Sequence, residues 1–329
     1  MSELTMVDAI NRTLHTEMDH DDTMIVSGQD VGVDGGVFRV TDGLLDTFGE
    51  QRVIDTPLAE SLILGSAVGM AAHGLRPVCE MQFSGFSYLA LHQLESHAAR
   101  MRWRTRGRFT VPLVVRMPYG AGVHALEHHS ESKEVYFAHT PGLKMVVPSS
   151  PATAAGLLRS AVRDPDPVVY FEPKALYRSF REEVDPDEQE IEIGRARTLR
   201  EGDDMTLVAW GAMVPRAQEA ADRLADDDGI EVDLIDLLSL SPLDHETVSE
   251  SVRRTGHAVI VHEAHRTFGP AGEIMARLIE DAFWWLETPV ERVTGYDVPV
   301  PYFAREQDYL PSVDRIVAAA RRSLEVASA

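Results

Sequence analysis

Two consecutive α/β units, the first built on a mostly parallel sheet, are predicted for this 329-residue chain from three features. Strand-like and helix-like patterns alternate through the first half. Between Pro173 and Gly202 the pattern dissolves into charge. From Met205 a fresh alternation begins. Strands that alternate with helical segments imply parallel strands joined by helical crossovers and covered on their faces.

In chain order, Leu4, Val7, Ile10 and Leu14 recur at helical spacing over 4–18. Thr23 to Ser27 (TMIVS) reads as a short strand, followed by the glycine-rich GQDVGVDGGVF. Asp55-Thr56-Pro57 leads into 58–73, LAESLILGSAVGMAAH, whose small residues predict a closely packed helix. Strands are expected at 77–83, 112–116, 146–148 and 168–171, with helices at 87–104 and 152–162. The charged run REEVDPDEQEIEIG reads as a linker. The later cycle gives strands at TLVAWG, VDLIDLL and AVIVHE, and helices over 214–226, 244–254 and 270–283. The predicted boundaries are 1–185, a linker at 186–204, and 205–329.

With 31 basic and 53 acidic residues the formal charge is −22, and 44% of residues are hydrophobic. That apolar content supplies a core and excludes wholesale disorder. A field of this sign repels phosphate and anionic lipid, so neither nucleic acid nor a membrane is an expected partner. No apolar stretch reaches the roughly 18–20 residues of a bilayer span. The acidic, amphipathic MSELTMVDAINRTLHTEMDH is unlike a targeting peptide, which predicts a cytoplasmic protein. The only cysteine, Cys79, excludes an internal disulfide. Only Lys133, Lys144 and Lys174 are lysines, and aspartates bunch at Asp19, Asp21, Asp22 and Asp226 to Asp228. An acidic, lysine-poor surface suits a salt-rich, halophilic cytoplasm, where screening removes the self-repulsion.

The chain has no GxGxxG after a strand, no P-loop and no GxSxG elbow. Its densest titratable cluster is His124, Glu127, His128, His129 and Glu131, on a loop after the strand at 112–116. Adjacent loop histidines rarely converge on one metal, and His262-x-x-His265 carries the same objection. General acid/base chemistry suits a loop above strand ends; simple solvation fits those residues equally well. Glu60 lies near the start of an otherwise apolar helix. It is expected to be buried or at an interface, either as a dipole-stabilised carboxylate or as a functional one.

Six ordered segments then narrow the reading: GQDVGVDGGVFRVTDGL, RVIDTPLAE, GLRPVCEMQFSGF, HTPGLKMVVPSSP, AVRDPDPVVYFEPKALYRSF and LSLSPLDHETV. Together they resemble the β subunit of the thiamine-dependent E1 component of 2-oxoacid dehydrogenase complexes, from about residue 4 to about 315. GVHALEHHSES is most similar to the Gram-positive pyruvate dehydrogenase type. The resemblance implies a transketolase-like, thiamine-diphosphate-binding pyrimidine domain followed by a transketolase C-terminal-like α/β domain. It also implies an α₂β₂ heterotetramer with an E1 α subunit and a second β subunit, in which α holds the diphosphate and Mg²⁺. The absence here of a GDG motif with a downstream Asn agrees with that division.

By the same resemblance Glu60 hydrogen-bonds the pyrimidine, with Leu58, Phe86 and Tyr88 beside the cofactor. His129 is the active-site histidine facing the lipoyl group or oxoacid, with His124 as a second member. Main-chain carbonyls of Leu113, Ala161, Val162, Asp164 and Asp166 hold a structural K⁺. The family usually reads GEDVG where Gln29 stands here, and usually has an acid where His92 stands. The resemblance places both positions in an acidic route between two active sites, where Gln29 cannot carry a proton as a carboxylate does. Glu131 and Lys133 also depart from the family pattern. The implied activity is decarboxylation of a 2-oxoacid, pyruvate first, with acyl transfer to the lipoyl domain of E2. The E2 peripheral-subunit-binding domain would dock on the acidic C-terminal half around Glu287 and Asp308. Branched-chain oxoacid or acetoin dehydrogenase, and a non-catalytic assembly subunit, are the alternatives.

Overall fold

The computed structural model describes residues 2–185 and 190–327. These divide into two compact units, 2–119 with 136–193 and 120–135 with 194–327. The segment carrying the histidine cluster therefore belongs with the second unit, although it follows a strand of the first.

In the first unit the strands are β1 (Ser2–Leu4), β2 (Met24–Gly28), β3 (Val53–Asp55), β4 (Arg76–Glu80), β5 (Val114–Tyr119), β6 (Lys144–Val146), β7 (Val168–Pro173) and β8 (Glu182–Val184). Six of them form a parallel sheet in the order β6-β7-β5-β4-β2-β3. Every residue of β2, β5 and β7 is buried, as befits strands covered on both faces. β1 and β8 make a separate antiparallel pair. The helix Met6–His20 starts at a capping box between Thr5 and Asp8, and Pro151–Arg163 at one between Ser150 and Thr153, with Pro151 in the first turn. Glu17 ties these two helices together, accepting from Arg159 Nε at 3.2 Å and Arg163 Nε at 2.9 Å.

The helix expected at 87–104 is interrupted. Tyr88–Gln93 and Ala99–Arg104 are α-helical, and Leu94–Ala98 between them is a π-turn. The wider turn brings the His92 and His97 rings to 5.3 Å. Their spacing of five residues would leave them about 140° apart on a regular helix.

Charge sits inside this core. Arg116 on β5 is fully buried; its Nη1 meets Glu80 of β4 at 2.8 Å and its Nε meets Glu172 of β7 at 2.7 Å. The Tyr177 hydroxyl also donates to Glu172. Cys79 lies beside Ser27 at 3.3 Å, and burial pushes its thiol up to about 12, where it is unreactive.

In the second unit the strands are β9 (Arg197–Arg200), β10 (Met205–Ala209), β11 (Val232–Asp236), β12 (Ser239–Ser241), β13 (Ala258–His265) and β14 (Glu291–Gly295). The sheet order is β14-β13-β10-β11-β9, parallel except for β9. Helices Met213–Asp228, His245–Thr255, Ala271–Ala282 and Val313–Ala327 accompany it. The first two end on left-handed Gly229 and Gly256, the residue type that adopts this conformation without strain. Of the segment expected as a linker, 186–189 lie outside the described residues, and Arg197–Arg200 form the edge strand β9. A half-buried, arginine-rich edge strand reads as polar linker because charge protects sheet edges.

Removing one partner of a buried ion cluster strands the others. Arg116→Met is therefore expected to cost about 3–5 kcal/mol. The triple change Glu80→Gln, Arg116→Met, Glu172→Gln should cost less than the single one. Thermal unfolding of the two variants side by side checks the order, and a triple variant that is worse than the single one would contradict it.

Candidate active site

Glu60 opens the helix Glu60–Ala72, with no side-chain cap from Ala59 before it. A carboxylate in the first turn complements the helix dipole. The helix itself is apolar all round, a character normally associated with cover on every side. Here Leu62 is 53% and the preceding Leu58 67% exposed. Glu60 is half-buried instead of fully buried, and its carboxylate has no hydrogen-bond partner among the described residues.

The neighbouring helix Tyr88–Gln93 is tied to this one where the Ser61 hydroxyl donates to the Leu89 carbonyl at 2.5 Å. Leading into it, Ser84–Phe86 form a 3₁₀ turn. Phe86 is half-buried, edge-on to Phe83 at 5.5 Å, and Phe83 is edge-on to Phe38 at 5.6 Å. Tyr88 is 44% exposed and edge-on to Tyr136 at 6.3 Å. Leu58, Glu60, Phe86 and Tyr88 thus come from two packed helices and the segments leading into them.

The glycine-rich loop after β2 is pinned onto strand ends. Asp55, which ends β3, accepts the N–H groups of Gly32 and Val33 at 2.6 and 3.0 Å. A Cβ on Gly32 would stand 2.9 Å from that carboxylate, so a larger residue there would push the Asp55 side chain away. Asp30 adopts φ +59° and accepts from Gln82 Nε2 at 3.0 Å. The side-chain oxygen of Gln29 is buried without a hydrogen-bond partner among the described residues.

In the second unit, the loop 120–135 rests on buried acids. Glu263 of β13 accepts from Ala121 N at 3.2 Å, and a Cβ on Gly120, at φ +82°, would collide with it. Glu306, fully buried, accepts from the N–H groups of Gly122 and His124. His124 has φ +57°; its Nδ1 lies 3.7 Å from Glu306 Oε2, and its ring lies 4.3 Å from that of Phe303. His129 is half-buried, edge-on to His128 at 6.0 Å. Glu131 pairs with Lys133 at 3.1 Å.

At the end of the same segment, Glu134 receives the Trp210 indole N–H at 3.5 Å. Desolvation, helped by the nearby Glu263 charge, pushes its carboxyl up to about 7. His262 stacks on Trp210 at 5.3 Å with neither ring nitrogen hydrogen-bonded among the described residues, and burial holds it down to about 3. His265 instead meets the Tyr309 hydroxyl at 2.9 Å. Glu287 and Asp308 are exposed, paired with His257 at 3.5 Å and Arg305 at 2.9 Å.

At the far end of Pro151–Arg163 the sequence empties carbonyls of their donors. The helical partner of the Ala161 carbonyl would be the N–H of residue 165, which is a proline. The Asp166 N–H turns to Asp164 Oδ1 at 2.9 Å, leaving the Val162 carbonyl to Arg76 at 2.9 Å. The Leu113 carbonyl accepts from Val168 N. Main-chain oxygens at a helix C-terminus, with two lone pairs each, suit a large cation; the Arg76 guanidinium at Val162 opposes one.

Glu306, Glu263 and Glu134 were not anticipated as parts of a site. Glu263 carried a signal in the acid that closes the apolar run AVIVHE; Glu306 carried none, lying 182 residues from His124.

Residues 2–179 match the family described as transketolase, pyrimidine binding domain, and residues 194–316 the transketolase C-terminal domain. A split-gene transketolase, in an inactive β4 tetramer, superposes with a TM-score of 0.80 at 22% identity over 99% of both chains, which establishes the fold. This pairing of units defines the class of transketolase-like, thiamine-dependent proteins. Full-length relatives narrow it. The pyruvate dehydrogenase E1 component subunit beta of Acholeplasma laidlawii is 49% identical over 98% of each chain. That of Bacillus subtilis strain 168 is 46% identical over 99% of this chain and 100% of its own. The 3-methyl-2-oxobutanoate dehydrogenase subunit beta of Mycobacterium tuberculosis H37Rv is 48% identical over 98% and 92%. The chain belongs to the family of 2-oxoacid dehydrogenase E1 β subunits.

The two displaced titrations oppose each other. Glu134, raised from 4.5 to about 7, makes the folded state hold an extra proton across that window, so its contribution falls as pH rises. His262, lowered from 6.5 to about 3, makes the unfolded state hold the extra proton between those values, so stability rises with pH there. Glu134→Gln should remove the first effect, and the variant should gain on the parent by on the order of 3 kcal/mol between pH 4.5 and 7. Unfolding midpoints that shift in parallel over this range would contradict the assignment.

Proposed function

We propose that this chain is the β half of a 2-oxoacid dehydrogenase E1, completed by an E1 α subunit and a second β subunit in an α₂β₂ tetramer. The observation that carries the reading is Glu60: a carboxylate with no hydrogen-bond partner among the described residues, opening a largely apolar helix in which Leu62 is exposed, as is the preceding Leu58. An unpartnered carboxylate ringed by apolar surface fits a buried polar ligand supplied from outside the chain. Thiamine diphosphate fits it, with Glu60 toward a pyrimidine ring nitrogen and Leu58, Phe86 and Tyr88 against the ring. Bound there, the cofactor supplies the carbon nucleophile and electron sink that decarboxylation of a 2-oxoacid requires.

Glu60 then holds a proton at the pyrimidine, and the Leu58 and Leu62 side chains exclude water from it. His124 and His129 exchange protons with the oxoacid or the lipoyl group. Mg²⁺ and the diphosphate belong to the α subunit. Pyruvate is the primary substrate, since two of the three relatives named above are pyruvate dehydrogenase subunits; a branched-chain oxoacid is the second reading, given the mycobacterial relative. The carbonyls of Ala161, Val162, Asp164, Asp166 and Leu113 would hold K⁺ once the Arg76 guanidinium leaves the Val162 carbonyl. The charge of −22 fits a potassium-rich cytoplasm. Gln29 and His92 leave no carboxylate relay between active sites. The exposed acids Glu287 and Asp308 meet a basic E2 peripheral-subunit-binding domain.

Co-expression with the α subunit and assay in molar KCl, with thiamine diphosphate, Mg²⁺ and an artificial electron acceptor, tests the reading directly. Turnover is expected on pyruvate over branched-chain oxoacids and acetoin. Glu60→Gln should assemble normally yet lose at least about 100-fold in turnover; near-wild-type activity would remove the central assignment. Exchanging K⁺ for choline should lower the unfolding midpoint, and an unchanged midpoint would remove the cation. Charge reversal at Glu287 and Asp308 should abolish E2 capture, whereas undiminished capture would move the docking surface elsewhere.

A further inference from the structure

We infer that Glu306 is a positioning residue that fixes both the backbone and the tautomer of His124, presenting Nε2 of that ring as the bare, proton-accepting nitrogen. The inference rests on the proposed placement of His124 in the active site only for its kinetic consequence. Its structural content stands on four observations.

First, the Glu306 carboxylate is fully buried, and its Oε1 is committed to the N–H groups of Gly122 and His124. Two donors on one oxygen close a turn around the carboxylate. That turn accounts for φ +57° at His124, a conformation that a non-glycine residue adopts at some cost. Second, the other oxygen, Oε2, is buried and has no hydrogen-bond partner among the described residues. It faces His124 Nδ1 at 3.7 Å, beyond hydrogen-bond range but within that of an ion pair. Third, the Phe303 ring lies on the imidazole at 4.3 Å, with 37° between planes, and limits how it can turn. Phe303 and Glu306 are three residues apart, so one short segment supplies both the steric and the electrostatic restraint. Fourth, the His124 side chain keeps 37% of its surface exposed. The ring is therefore restrained on its Nδ1 side and still open to solvent.

A carboxylate acceptor beside Nδ1 favours the tautomer with its proton there, as a buried acid does for the imidazole of a catalytic triad. Nε2 is then left without a proton and free to accept one from a substrate. Without the acid, neutral imidazole in water prefers the opposite tautomer.

Glu306→Gln separates this role from packing. The carboxamide oxygen must turn to the two backbone N–H groups, which places the NH₂ group opposite Nδ1. A donor thus replaces the acceptor while volume and loop contacts are kept, and the His124 proton should move to Nε2. The measurement is magic-angle-spinning NMR of the assembled tetramer, with ¹⁵N-histidine in this chain, at about pH 8.5, where ordinary imidazoles are neutral. His124 is identified by loss of its signals in His124→Gln. The expected result is a pyrrole-type Nδ1 in the parent and a pyrrole-type Nε2 in Glu306→Gln, with turnover falling at least about tenfold. A parent enzyme with its proton on Nε2 overturns the inference, whether or not the variant folds; so does an unchanged tautomer in the variant. An inverted tautomer with unchanged turnover upholds the positioning role and removes His124 from the reaction.

Discussion

A guanidinium with no access to water organises the first unit. Arg116 lies between carboxylates on the strands flanking its own, Glu80 of β4 and Glu172 of β7. Each of the three is inadmissible alone in an apolar sheet. Desolvation raises the Glu80 carboxyl, and Arg116 acts against it. Desolvation likewise works against the Arg116 charge, and the two carboxylates more than reverse it. The arrangement fixes register, because a slip of one residue would turn each charge to the opposite face. It also reaches the glycine-rich loop: a Cβ on Gly36 would lie 3.2 Å from Glu80 Oε1. The loop that approaches the candidate cofactor site is thus seated on the same cluster that locks the central strands.

The second unit uses the same device for a different purpose. Glu263 and Glu306 are buried acids that accept main-chain N–H groups of the histidine loop. Backbone donors satisfy a carboxylate without adding a counter-charge, so the residual negative field is available to whatever stands next to it. Beside Glu306 that neighbour is an imidazole. Beside Glu263 it is another acid, Glu134, which yields by holding its proton.

Much of this architecture was legible in the sequence, because buried parallel strands read as continuous apolar runs and capped helices announce their starts. The strands at 24–28, 114–119 and 168–173 and the helices at 6–20 and 151–163 fall within a few residues of the pattern. Charges inside apolar runs, Glu80 in RPVCE and Arg116 in VVRMPY, were visible but silent until a register paired them. What the pattern could not carry was long-range. The partnership of His124 with Glu306 has no local signature. Nor has the membership of loop 120–135 in the second unit, since the chain there crosses between units without a break in composition. The edge strand β9 was hidden by the charge that keeps it from pairing further. Glu60 was conspicuous as an acid in an apolar helix, and its half-exposed state reflects surface that this chain alone does not cover.

The π-turn at Leu94–Ala98 bears on how this segment can be compared with other sequences. It amounts to one residue absorbed into a helix without a loop, so all that follows is turned by about 100° relative to an unbroken helix. A helical wheel drawn through 88–104 is therefore valid only up to about Leu94. The arginines beyond it, Arg100, Arg102 and Arg104, point a quarter-turn away from where such a wheel puts them. In a relative one residue shorter here, the alignment gap would fall inside a continuous helix, and identical arginines would face a different direction.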